Sequence, residues 1–318
     1  TSIPTAISGD LTTSKNRGNV PFATLTSFAE SPKVFGRIVA GSDDGNLWLT
    51  DSGGSSWSAI GDGLPADRWV SRAILSAHQK DRIYVALNGY RQDDGSAYLY
   101  VSEDLGRHWT SIAANLPAEA INVVREDPVN ADVLYVGTDR GVYVSIDRGG
   151  SWQGLGANLP NVPVHDLAVH PRERELVAGT HGRSAWVIDV LPVQEAGAKL
   201  RDEGAHLFPL AEIEADRDWR SAAPRWYLDD DYLPKATISF WAKAAGKGTL
   251  SIVDGNGKTV REIPVDARRG INTVDWNVQV DPTLALDAEL AGLAKAKADA
   301  AKKADGDAAD KEKDKSSD

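Results

Sequence analysis

"SIDRGGSW", Ser145 to Trp152, decides the fold, because the chain spells nearly the same phrase twice more: "SEDLGRHW" at Ser102 to Trp109 and "TDSGGSSW" at Thr50 to Trp57. The shared order is Ser or Thr, a spacer, Asp, a spacer, Gly, two spacers and Trp. The three tryptophans stand 52 and 43 residues apart, a period that marks a propeller-type repeat. The same segments recur around each phrase. An apolar run ends in a turn ("FATLTSFAESP", "WVSRAILSAHQKD", "INVVREDPVNAD"), and a β-rich run ends near Gly ("RIVAGSDDG", "RIYVALNGY", "VLYVGTDRG"). Then "NLWLT", "AYLYVS" and "GVYVS" lead into the phrase. Apolar residues alternate with polar ones at period two, which is the strand signature.

Each unit therefore reads as four short antiparallel strands, A to D, forming one blade. The phrase falls at the C-to-D hairpin. There Asp104 and Asp147 suit acceptance of the turn's own N–H groups, Gly106 and Gly149 suit a positive φ, and Trp109 and Trp152 suit burial between sheets. Ser102 and Ser145 open the two fuller copies. Thr50 and Trp57 bound the third, where Ser52 takes the Asp position and predicts the weakest turn. A fourth unit, "VHDLAVHPRERELVAGTHGRSAWVID" (Val164 to Asp189), supplies strands A, B and C without a Trp phrase. The expected fold is all-β: a partial β-propeller of three four-stranded blades plus three strands of a fourth. That is too few for a closed ring, so further N-terminal blades of the same protein are expected before Thr1.

The 318 residues suffice for one large domain or two ordinary ones. A net charge of −11 argues against a nucleic-acid partner, and no apolar run is long enough to span a bilayer. Cysteine is absent, which removes disulfides, thiolate metal sites and a cysteine nucleophile. No metal-ligand spacing, phosphate loop or dinucleotide fingerprint occurs, so no metal and no cofactor is expected. The chain begins "TSIPTAISGD", without an initiator Met or a signal peptide.

After Val190 the period is lost. "ATISFWAKAAGKGTLSIVDGNGKTVREIPVDARRGINTVDWNVQVD" alternates again, with "DGNGK" (Asp254 to Lys258) as a hairpin signal and Trp276 as an anchor. From Leu284 the chain turns Ala-, Lys- and Asp-rich, reading as a helical to disordered tail.

The three phrases resemble the Asp-box, or bacterial neuraminidase repeat. "GSDDGNLWLT", "NGYRQDDG", "EDPVNADVLYVGTDRGVYVS" and "PVHDLAVHPRERELVAGTHGRSAWVIDV" resemble secreted bacterial glycosyl hydrolase-like or sortilin-like repeat proteins. The later strands resemble the Ig-like module of flagellar hook-capping proteins, in an incomplete form. The expected domains are a connector at 1–21, propeller blades at 22–192, a connector at 193–235, an Ig-like β-sandwich at 236–282 and a tail at 283–318. The resemblance implies an extracytoplasmic location.

In a four-stranded blade the A–B and C–D turns share one face, while the B–C and D–A connections share the other. That second face gathers Asp43, Asp44, Tyr90, Arg91, Asp93, Asp94, Asp139, Arg140, His181 and Arg183, with Trp69, Arg72, His165 and Asp166 at strand starts. Carboxylates, guanidiniums and rings on one rim suit a glycan. For glycoside hydrolysis Asp93, Asp94, Asp44 and Asp139 are the candidate carboxylates. They would stand about 5 to 5.5 Å apart for retention or about 6.5 to 9.5 Å for inversion. Asp43, Tyr90, Arg91, Arg140, His181, Arg183, Trp69 and Arg72 are candidate ligand contacts. His165 and Asp166, adjacent in a strand, are expected to point to opposite faces and form no dyad. Two functions fit: a glycan-engaging glycosyl hydrolase-like protein, or a non-catalytic sortilin-like module whose ligand is a peptide or protein.

Overall fold

A computed structural model describes residues 24–155, 159–195, 200, 203–210 and 235–284. The expected connector at 1–21, most of that at 193–235 and the tail from 285 onward lie outside these residues. The chain divides into two units, Thr1–His206 and Leu207–Asp318.

The first unit is a partial propeller. Blade 1 contains β1 (Leu25–Glu30), β2 (Ile38–Ser42), β3 (Leu47–Thr50) and β4 (Ser58–Ala59). Blade 2 contains β5 (Trp69–Leu75), β6 (Ile83–Gly89), β7 (Asp94–Ser102) and β8 (Thr110–Ser111). Blade 3 contains β9 (Ile121–Glu126), β10 (Leu134–Thr138), β11 (Gly141–Ser145) and β12 (Gln153–Gly154). Blade 4 has three strands, β13 (Val164–His170), β14 (Glu175–Thr180) and β15 (Ala185–Asp189), followed by the short helix α1 (Leu191–Glu195). Every pairing is antiparallel and follows chain order.

The B strands of blades 2 and 3 are buried on both faces because each of these sheets is sandwiched between neighbours. All seven residues of β6 and all five of β10 are buried. One core unites blades 1 and 2 around Val39, Leu47, Val70 and Val85, and a second unites blades 2 and 3 around Tyr84, Leu99, Leu134 and Trp152. Burial of this kind stabilises at about 25 cal/mol per Å² of apolar surface.

The C–D turns fasten one blade to the blade before it. Trp109 Nε1 donates to the Ile60 carbonyl at 2.8 Å, and Trp152 Nε1 donates to the Ile112 carbonyl at 2.7 Å. Beside them Gly106 and Gly149 lie so close to Ile60 and Ile112 that an added Cβ would sit 2.6 and 2.7 Å from the isoleucine Cβ. Both glycines hold φ near +85°, in the region that disfavours any side chain. Trp152 is 5 % exposed whereas Trp57 is 39 % exposed, since no blade precedes blade 1 among the described residues.

Blade 4 is fastened differently. Its turn phrase is replaced by α1, where Gln194 Nε2 donates to Asp127 Oδ2 at 2.8 Å and Asn130 Nδ2 donates to the Gln194 carbonyl at 2.8 Å. Asp127 is fully buried in blade 3 and also accepts from Tyr135 Oη at 2.9 Å.

After β16 (Ala205–Leu207) the second unit contains β17 (Ala236–Ala242), β18 (Gly246–Val253), β19 (Thr259–Ala267) and β20 (Gly270–Trp276). Two antiparallel pairs form, β17 with β20 and β18 with β19. The second closes at "DGNGK", where Asp254 Oδ1 accepts the N–H groups of Asn256 and Lys258.

Candidate ligand-binding face

The inner strand of every blade carries a bulge at the same place. Register between strands A and B skips Thr26, Ser71, Asn122 and His165 in blades 1 to 4. A bulge re-aims the skipped side chain, and the four residues use that freedom in two ways. Thr26 Oγ1 donates to the Val70 carbonyl at 2.8 Å, and Ser71 Oγ donates to the Ile121 carbonyl at 2.7 Å, so both stitch one inner strand to the next. Asn122 instead donates to Asp139 Oδ1 at 2.9 Å and accepts from Asn88 Nδ2 at 3.0 Å. His165 meets His181 edge to face, with ring centroids 5.5 Å apart. The hydroxyls close seams, whereas Asn122 and His165 organise the B–C loop face.

Between blades 1 and 2 the face is bound by two ion pairs. Arg91 Nη1 donates to the buried Asp43 at 2.8 Å while its guanidinium stacks 5.1 Å from the Trp69 ring centroid. Arg68 donates to Asp94 Oδ2 through Nε and Nη2 at 3.1 and 2.9 Å, and Tyr98 Oη donates to the same oxygen at 2.6 Å. The Tyr98 hydrogen bond, the Ser96 N–H and the Arg68 guanidinium together hold the Asp94 carboxyl well below the usual carboxylate range. The Tyr90–Gln92 3-10 turn crosses this region and leaves Tyr90 73 % exposed. Gln92 Nε2 anchors that turn to the Asp67 carbonyl at 2.7 Å. Asp67 in turn lines a groove of about 310 Å³ bounded by Asp44–Leu47 and Ala59–Asp67.

The candidate carboxylates fare unequally. Asp44 is buried and turned onto Ser42 Oγ and the Asn46 side chain, so its own turn occupies it. Asp93 is exposed with φ of 57°, and its N–H donates to the Tyr90 carbonyl. Asp139 is half-buried on Asn122. Arg140 reaches toward the buried Glu119 at 3.9 Å, and Glu119 accepts from Thr138 Oγ1 at 2.8 Å. Arg183 is exposed, and its carbonyl accepts from Trp186 Nε1.

Deeper on the face, Arg72 and Arg125 converge on one acceptor. Arg72 Nη2 and Arg125 Nη2 donate to Asp166 Oδ1 at 3.0 and 2.9 Å, and the Leu167 N–H donates to that oxygen at 2.9 Å. Arg125 Nε donates to the Leu167 carbonyl at 2.6 Å. Burial, and after it the neighbouring Arg72 charge, draw the Arg125 guanidinium below its ordinary value. His165 and Asp166 are both exposed because the bulge interrupts the alternation expected of a regular strand. No hydrogen bond joins them, since Asp166 turns to the arginines and His165 to His181.

The turn residues lie on the opposite connections. Asp104 Oδ1 accepts the His108 N–H at 2.9 Å and Ser102 Oγ at 2.9 Å, and Gly106 N–H donates to Ser102 Oγ at 2.7 Å. Asp147, Ser145, Gly149 and Ser151 repeat this arrangement. In the first copy Ser52 Oγ accepts the Ser56 N–H at 3.0 Å, and Thr50 Oγ1 accepts the Gly54 N–H at 3.1 Å.

Arg68, Asn88, Glu119, Asn122 and Arg125 are among the site residues that the sequence reading does not single out. Asn88, Asn122 and Arg125 are polar interruptions of otherwise apolar strands, which is the signal that marks them.

No family model and no curated protein matches the chain. Solved structures do. The GH74 enzyme of Niastella koreensis is 16 % identical, with 70 % of this chain and 29 % of that chain covered and a TM-score of 0.43. An ancestral GH74 enzyme is 15 % identical, with 78 % and 33 % covered and a TM-score of 0.43. The GH74 xyloglucanase from Xanthomonas campestris is 12 % identical, with 79 % and 38 % covered and a TM-score of 0.42. The chain thus spans about a third of the length of these structures. Nothing of their activity is carried to this chain at such identities and scores. Among the described residues no helix is long and apolar enough to cross a membrane.

Proposed function

We propose that this chain is part of an extracytoplasmic Asp-box propeller protein whose B–C loop face binds a glycan. The observation that carries the reading is the Tyr90–Gln92 turn: it exposes the Tyr90 side chain, its Arg91 guanidinium stacks on Trp69, and its Gln92 side chain is pinned to Asp67 in the wall of a groove of about 310 Å³. Exposed rings flanked by fixed hydrogen-bonding groups and a concave wall are what a sugar face requires. The incomplete Ig-like module after the blades is read as a spacer.

Binding without turnover is the form the carboxylates favour. A glycosidase needs one carboxylic acid whose pKa is raised. Asp94 is shifted the other way, and Asp44 is consumed by its turn. The peptide-binding alternative draws on one observation: among the described residues β15 is the outer strand of a three-stranded sheet where the other blades add a fourth strand. An extended peptide could add there.

The test is a glycan array probed with the whole chain beside a Tyr90→Ala variant of equal thermal stability. Retention lost in the variant supports a sugar site at this turn. Equal retention by both proteins, or none by either, removes it.

A further inference from the structure

We propose that Arg72 and Arg125 form an oxyanion subsite on this face, with Asp166 as a built-in counter-ion that the ligand displaces. The ligand chemistry is a carboxylate or a sulfate ester carried on a glycan. The inference rests on the reading of this face as the binding face.

The geometry is unusual in its imbalance. Two other arginines of the blades are matched to acceptors: Arg68 grips Asp94 through two nitrogens, and Arg82 grips Glu103 through Nε while Nη1 meets Tyr84 and Glu126. Here two guanidiniums share one carboxylate oxygen, which leaves one positive charge over. Arg72 uses one nitrogen of its fork: its Nη2 bonds Asp166, and its Nε is shut away from water with no acceptor. Asp166 Oδ1 takes three donors, while Oδ2 accepts no hydrogen bond among the described residues.

Position agrees with charge. The arginine side chains are about three-quarters covered, whereas the Asp166 side chain is 61 % exposed. The carboxylate lies toward solvent over a recessed cationic floor, and a planar fork suits an oxyanion better than it suits the edge of a single carboxylate oxygen. His165, next in sequence, fixes the β14–β15 loop through His181, and that loop adds the exposed Arg183 to the same face. No glycan hydroxyl needs two partly desolvated guanidiniums; an anion does.

The experiment compares three ligands on the whole chain by titration calorimetry: a neutral oligosaccharide, the same backbone bearing glucuronate, and its sulfated form. The two charged arms separate carboxylate from sulfate. Glucuronate and inorganic sulfate are added as minimal probes that need no glycan contact. Asp166→Asn keeps the shape while freeing both arginines, so it should tighten binding of the charged ligands about tenfold, the size of one charge-assisted hydrogen bond. Arg72→Gln should weaken them by a similar factor, and Asp166→Asn should leave binding of the neutral ligand unaltered. Weaker or unchanged anion binding by a folded Asp166→Asn protein overturns the subsite. So does equal affinity for neutral and charged ligands. If Tyr90→Ala leaves every glycan unaffected while Asp166→Asn still tightens glucuronate or sulfate, the glycan reading fails and the oxyanion subsite stands.

Discussion

Ser71 and Asn122 occupy the same bulged position in successive blades and do opposite things: Ser71 donates its hydroxyl forward to the Ile121 carbonyl, while Asn122 turns its amide up to Asp139. A short hydroxyl reaches the next strand, and a longer amide clears it. Asn122→Ser should therefore trade a loop contact for a seam contact, leaving thermal stability near that of the parent. The same change should release Asp139, read as faster amide exchange at Thr138 to Gly141.

Trp152→Ala removes a buried ring together with a blade-to-blade hydrogen bond. A loss of about 3 to 5 kcal/mol is expected in denaturant unfolding. Trp57→Ala should cost much less, because that ring is already partly in solvent. Equal losses would show that the indoles do not act as seam fasteners.

Gly149→Ala combines a backbone conformation that disfavours Cβ with a contact of 2.7 Å to Ile112. Gly54, with φ of +94°, has its nearest neighbour 4.0 Å away on Trp57. Gly54→Ala should cost about 1 kcal/mol from strain alone, and Gly149→Ala about 1 to 3 kcal/mol more from overpacking. Thermal melts of the two variants read the difference directly.

Asp94 gives a pH signature. Its folded-state pKa lies below the unfolded value, so its contribution is fully present above the ordinary carboxylate range near about 4. It is lost as pH falls from there toward the folded-state value. The melting temperature of the parent should drop in that acid window more steeply than that of Asp94→Asn, and the two curves should run parallel at neutral pH. Asp104, held low chiefly by His108, adds to the same acid-side loss.

Gln194→Ala leaves Asp127 with a vacated acceptor in a fully buried setting. A destabilisation of about 1 to 3 kcal/mol follows from the lost hydrogen bond to a buried carboxylate, whose Oδ2 keeps only Tyr135, and α1 should become more open to proteolysis. Unaltered cleavage at Leu191 to Glu195 would mean that the helix is held by Val193 and Pro192 alone.

Strand order was readable because each blade states its own period: Gly106, Trp109, Gly149 and Trp152 repeat a local geometry that needs no knowledge of neighbours. The face was readable only by address. That Asp94, Asp43 and Arg91 share a rim follows from loop positions, but their pairing follows from tertiary contact, at separations of 26 residues for Arg68 with Asp94 and 48 for Arg91 with Asp43. Arg72 reaches across 94 residues to Asp166, past an entire intervening blade. The bulges stayed hidden because Thr26, Ser71, Asn122 and His165 differ in chemistry and share a register alone.

The seam fasteners all point backward along the chain: Trp109 to Ile60, Trp152 to Ile112, and α1 to Asp127 and Asn130. During synthesis the earlier-blade partner of every such bond has left the ribosome before the residue that fastens to it. Each outer seam can close when its own turn emerges, without waiting for sequence still to come. Assembly is thereby given a direction, and a nascent chain from which Trp152 has emerged can already carry two locked seams.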